Sequence, residues 1–147
     1  MNDDDRAMLV LQKAVMRAKE MLEGTQNFRP FALMLYEDGS IKTIENKVND
    51  IENSYDQLCD SMRIRAAEGG VDVLAIVIDT LIPERFAKDI PNGIRLHLEE
   101  KSQKDKRVSA RYIYVPYQLM RRSGSDEITA QLHQPVPVGF PAEFLTA

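Results

Sequence analysis

The chain reads as an α/β protein of the α+β type. It should hold two main helices and a mostly antiparallel sheet of about five strands, in the order α-β-β-α-β-β-β, before an extended C-terminal tail. Three observations predict this. An apolar stripe at helical spacing fills the first two dozen residues, and an Asp38-Gly39 pair separates two strand-like runs. After residue 70, three further strand-like runs are joined by short links. Short links favour antiparallel neighbours, because a parallel pair needs a crossover of a dozen or more residues.

The first helix is expected from about Asp4 to Glu23. Met8, Leu11, Val15, Ala18 and Leu22 recur at spacings of three and four, and Ala14 and Met21 widen the stripe. Asp3, Asp4 and Asp5 supply a cap and negative charge at the positive end of the helix dipole, and Gly24 is a natural stop. Phe31–Tyr36 and Ile41–Ile44 flank Glu37-Asp-Gly-Ser40, a hairpin because the turn needs positive φ. A second helix is expected from about Asp50 to Ala67, capped by Asn49 with Glu52 and ended by Gly69-Gly70. Its stripe is Ile51, Tyr55, Leu58, Met62 and Ala66, which makes Cys59 a small buried hydrophobe.

Val71–Ile78 is a β-branched run that reads as a central strand, and Thr80–Asn92, with Pro83 and Pro91, reads as a loop with a helical turn at Glu84–Lys88. Ile94–Glu100 and Val108–Val115 are two more strands. Residues 1–120 therefore form the domain, and 121–147 form a polar, then apolar and proline-rich tail, docked on the domain or on a partner subunit.

Two of these strands are apolar on both faces. Val73, Ala75 and Val77 oppose Leu74, Ile76 and Ile78, while Phe31, Leu33 and Leu35 oppose Ala32 and Met34. A sheet with one wet face should alternate. Helix 2 can cover one face; the first helix, the Phe140–Leu145 tail or another subunit must cover the other.

The 147 residues fit one domain, and a chain of this size needs no staple. A net charge of −4 argues against a dedicated nucleic-acid binder, which neutralises phosphates with a basic surface. One cysteine permits no intrachain disulfide and no cysteine-rich zinc site. The acidic start is the wrong charge for a signal peptide, and no apolar run approaches membrane-spanning length, so a cytoplasmic location is expected.

Candidate ligand-binding residues are few. Arg95, His97 and Glu99 share one face of a strand, and matching apolar faces across the last hairpin places Ser109 and Arg111 beside them. Two arginines and a histidine could hold a carboxylate or phosphate, with Glu99 as a base. The same row reads more simply as a solvated flank with cross-strand charge pairs, since the chain is otherwise acidic. Asp79 ends the central strand, where a carboxylate either reaches into a site or caps the next turn through Thr80. His97 and His133 carry no metal-ligand spacing, and no glycine-rich phosphate loop, nucleophile elbow or paired-cysteine set is present. No cofactor, metal or catalytic residue is expected.

Phe28-Arg-Pro-Phe31, Tyr36-Glu-Asp-Gly39, Ala75-Ile-Val-Ile-Asp79 and Val115-Pro-Tyr117 resemble the motifs of small uncharacterised bacterial α/β proteins. Those proteins pair an N-terminal helix with a Phe-x-Pro-Phe strand and an Asp-Gly hairpin. The likeness spans residues 5 to 117 and implies a fold and no activity. The element order is also similar to roadblock and profilin-like platforms. Together these readings point to a non-enzymatic protein-interaction module that forms a homodimer, contacting neither nucleic acid nor membrane. A small enzyme or binding module for an anionic metabolite, and an immunity-type protein that neutralises a toxin, are the alternatives.

Overall fold

The computed structural model describes residues 2–45, 51–87, 89–121 and 123–145. Helix α1 (Asp3–Thr25) leads into strands β1 (Phe31–Tyr36) and β2 (Ile41–Glu45), then helix α2 (Ile51–Glu68). Strands β3 (Val71–Leu81), β4 (Asn92–Glu100), β5 (Ala110–Arg121), β6 (Ile128–Leu132) and β7 (Val136–Phe140) follow, with a short 3-10 turn at Lys101–Gln103. The strands form one curled antiparallel sheet in the order β2-β1-β3-β4-β5-β6, with β7 also paired to β5.

The α+β class and the two helices agree with the sequence, but the strand count does not. Two of the seven strands lie in the segment expected to be a tail. Tyr114 pairs with Val136 and Tyr117 with Leu132, so Val115 and Pro116 face three residues, His133, Gln134 and Pro135. β6 and β7 are thus two halves of one edge, broken by a bulge at which His133 N–H donates to the Pro116 carbonyl (2.8 Å). Proline is tolerated there because an edge strand has one side without ladder partners. The proline content that suggested a tail marks a sheet edge. β5 runs six residues beyond its expected end to supply the pairing.

Helix α1 is capped by Asn2, whose side chain accepts from Asp5 N–H (2.8 Å) while Asp5 accepts from Asn2 N–H (3.4 Å). Its stop is also displaced: Gly24 stays inside, and Gln26 closes the end at φ 66°. At the hairpin Gly39 adopts φ 89°, and Asp38 accepts from Ser40 N–H (2.9 Å). The Asn49–Glu52 cap expected for α2 lies outside the described residues, as does Lys88, the last residue of the helical turn expected at Glu84–Lys88.

Both faces of the sheet centre are covered from within the chain. On one face Val10, Ala14, Ala18 and Leu22 of α1 pack on Leu33, Ala75 and Leu96. On the other, Leu58 and Met62 of α2 join Phe144 and Leu145 over Met34, Leu74 and Ile76. Alternate residues of β1 and β3 serve different cores, which is why neither strand alternates in polarity.

The buried face of α1 is rotated from the expected stripe. Ala7, Val10, Ala14, Ala18 and Leu22 are buried, Leu11 and Val15 are only partly so, and Met8 is 53% exposed. Three of the buried positions are alanines, which let the helix backbone sit close to the sheet. The longer side chains flank that contact.

Candidate functional site

Strand β4 carries the polar row, with His97 opposite Ile76 and Tyr112, and Glu99 opposite Leu74 and Ala110. These residues lie on the α2 side of the sheet. His97 and Glu99 are 1% and 0% exposed, with His97 Nε2 2.6 Å from Glu99 Oε2. Glu99 also accepts three backbone N–H groups from the C-terminal segment. Glu143 donates to Oε2 at 3.0 Å, and Phe144 and Leu145 each donate to Oε1 at 2.9 Å.

An ionised carboxylate has about four acceptor positions, and all are used here. Burial pushes the Glu99 carboxyl up, but the His97 bond and the three amides outweigh it and hold the group below the usual glutamate range. Such a carboxylate is a structural acceptor and a poor base. His97 is walled by the rings of Tyr112, Phe140 and Phe144 at 5.1–5.3 Å, and its Nδ1 has no hydrogen-bond partner among the described residues.

Arg95 does not join this pair. Its guanidinium lies 4.5 Å from the Tyr112 ring and 5.5 Å from that of Tyr55, and it donates to the Tyr55 hydroxyl (2.9 Å). Burial pushes the Tyr55 hydroxyl up to about 12, although the Arg95 charge opposes the shift.

Arg111 projects from the other face. It stands opposite Leu98 and pairs with Glu100 at 3.0 Å, so the expected register was one residue out. The error came from placing the β5 tyrosines with the aliphatic face. Ile113 and Val115 take the α1 side, leaving Tyr112 and Tyr114 to pack on the α2 side. Ser109 is buried and accepts from Ala142 N–H (2.7 Å).

Asp79 does not cap its turn. Its Oδ1 accepts from the Tyr117 hydroxyl at 2.6 Å, whereas the Thr80 hydroxyl donates to the Leu81 carbonyl. Burial raises the Asp79 carboxyl and the Tyr117 bond only partly offsets it. Asp79 shares the α1-side row of Val73, Ala75 and Val77, the opposite face from His97. His133 lies elsewhere, beside Gln118 (3.1 Å). Among the described residues no cluster of His, Cys, Asp and Glu could hold a metal ion. Cys59 is buried, which raises its thiol pKa.

A second feature had only a partial sequence signal. Beside α1, a groove of about 580 Å³ opens over the α1 side of β4, β5 and β7. Met8, Leu11, Val15 and Met16 form its helical wall, and Leu96, Ile113 and Val115 form its floor. Pro135 and Pro137 close the far side, and Gln12 is the one polar side chain that lines it among the described residues. The signal was the width of the apolar surface on α1, too broad for one stripe.

No helix among the described residues is long and apolar enough to cross a membrane. No family model matches this chain, and comparisons with curated proteins and with solved structures return no match.

Proposed function

We propose that the chain is a non-enzymatic interaction module that forms a homodimer through the groove beside α1. The groove itself carries the reading: an apolar ridge and an apolar trough lie side by side on one surface. Under a twofold operation the ridge of each copy meets the trough of the other, the self-complementarity an isologous dimer needs.

The dimensions favour a helix as occupant. Strands lie about 4.8 Å apart and a helix with its side chains is about 10 Å wide, so one helix covers roughly two strands. The sheet curls so that β6 meets the C-terminal end of α1, where Ala130 N–H donates to Glu23, and the open surface lies beside the N-terminal half of the helix over β4, β5 and β7. A second copy of α1 supplies a ridge of the right width and polarity. The anionic-metabolite alternative has less support, because Arg95 is turned onto Tyr55 and Tyr112, His97 and Glu99 are engaged with each other, and Arg111 faces the other way.

Sedimentation equilibrium of the wild type and of Met8→Glu/Met16→Glu tests the proposal. A dimer that the double variant abolishes is the expected result; a wild type monomeric at high micromolar concentration removes it.

A further inference from the structure

The C-terminal segment is held in an unusual way. Pro141 has no N–H, and the next four backbone amides all donate to side chains: Ala142 to Ser109, and Glu143, Phe144 and Leu145 to Glu99. Three of the four rest on one carboxylate. Phe144 and Leu145 belong to the α2-side core alone, and no residue of this segment contributes to the core under α1.

We propose that residues 141–145 form a strap fastened by the charge on Glu99. Neutralising that one carboxylate frees the strap and uncovers the apolar surface and the His97 ring beneath it, while the sheet stays folded. The hydrogen-bond arithmetic is direct. Oε1 takes the amides of Phe144 and Leu145, and Oε2 takes Glu143 N–H and His97 Nε2. Protonating Oε1, or replacing it by an amide nitrogen, sets a donor against the Phe144 and Leu145 amides; the same change at Oε2 sets one against Glu143 N–H, while His97 Nε2 can switch tautomer and accept. Buried donors left without acceptors are costly, and the strap is the mobile partner that can leave and hydrate them.

The surroundings do not supply a substitute charge. His97 faces Glu99 from β4, Tyr112 borders His97 from β5, and β3 presents Leu74. The strap's own charge is Glu143, and α2 brings Cys59 and Arg63, the latter 5.4 Å from the Phe144 ring. The carboxyl sits below the ordinary glutamate range. The strap is therefore closed at neutral and mildly acid pH, and its fastening is lost as pH falls through that depressed value.

Hydrogen exchange by NMR on the full chain tests this, with Glu99→Gln at neutral pH and the wild type across an acid titration. In Glu99→Gln, protection factors of the 143–145 amides should fall on the order of ten- to a hundredfold while β3 amides keep theirs. The wild type should reproduce this selective loss in acid, and Ser109→Ala should leave those three amides protected. Unchanged strap protection in Glu99→Gln overturns the proposal. So does parallel loss at β3, since the charge would then be holding the sheet and not the strap.

Discussion

Charging the ridge beside the groove should abolish dimer formation, and the size of the effect follows from exposure. Fully burying a methionine is worth about 1.5–3 kcal/mol. Met8 is 53% and Met16 63% exposed in the single chain, so the surface still to be buried represents about 2–3.5 kcal/mol per copy. A twofold interface counts it twice. Discounting by half for incomplete burial leaves about 2–3.5 kcal/mol for the pair, and 1.4 kcal/mol is tenfold in Kd, so removal alone weakens association roughly 30- to 300-fold. The added carboxylates raise this further, because an unpaired charge resists burial. Sedimentation equilibrium from low to high micromolar concentration reads the change, with thermal melts to show that the variant folds. Because both side chains are exposed, its Tm measured under monomeric conditions should stay close to that of the wild type. A double variant that dimerises with the wild-type Kd would refute the reasoning, since the interface would then lie elsewhere.

Asp79→Asn should raise Tm at neutral pH, because Asn keeps an oxygen for the Tyr117 hydroxyl and removes a charge that burial disfavours. The folded pKa is raised, so the native state holds its proton longer, and wild-type stability declines as pH climbs through the interval between the two values. The advantage of Asn should shrink as pH drops below the ordinary aspartate range; an advantage independent of pH would count against burial as its cause. Gly93→Ala and Gly139→Ala offer a matched pair, since a Cβ would meet Ile82 Cγ1 at 2.6 Å in one and Val108 Cγ1 at 2.5 Å in the other. Ile82 is buried and Val108 is 55% exposed, so the first should cost about 1–3 kcal/mol in urea unfolding and the second under about 0.5 kcal/mol. Equal costs would show that the surroundings of the two sites yield alike.

Much of the fold was legible because local chemistry and tertiary context agree in this chain. The Asp38-Gly39 turn, the α2 stripe and the β-branched β3 each point one way, and each element forms in its expected place, with β3 running three residues further, to Leu81. The failures lie where size or composition competes with position. On α1 the large Met8, Leu11 and Val15 looked like core, yet the helix packs through Ala7, Ala14 and Ala18, a choice only the facing sheet can make. In the last quarter, prolines at 135, 137 and 141 resembled a tail, although an edge strand accommodates them once a bulge sets the register. The polar row was visible as a row. That Glu99 would be wholly buried was not, since its partners are backbone amides more than forty residues away, which carry no side-chain signature.

That burial also bears on what the row is for. Taking an ion pair or a carboxylate out of water is expensive, and an apolar residue of similar volume often serves stability as well or better. At position 99 an apolar side chain would pack against Leu74 and the strap, but it could not accept three consecutive amides, and the Ser109 bond to Ala142 would be the one strap fastening left of the four. The charge is thus better understood as placing and fastening the strap than as adding stability to the sheet. Phe144 and Leu145 supply the burial, while Glu99 determines that they enter the α2-side core in this position. On the α1 side the groove beside the N-terminal half of the helix is lined with methionine, aliphatic residues and proline, and stays open. One face is therefore closed in cis by a segment whose placement depends on a single charge. The other presents a surface whose width and polarity match the helix beside it.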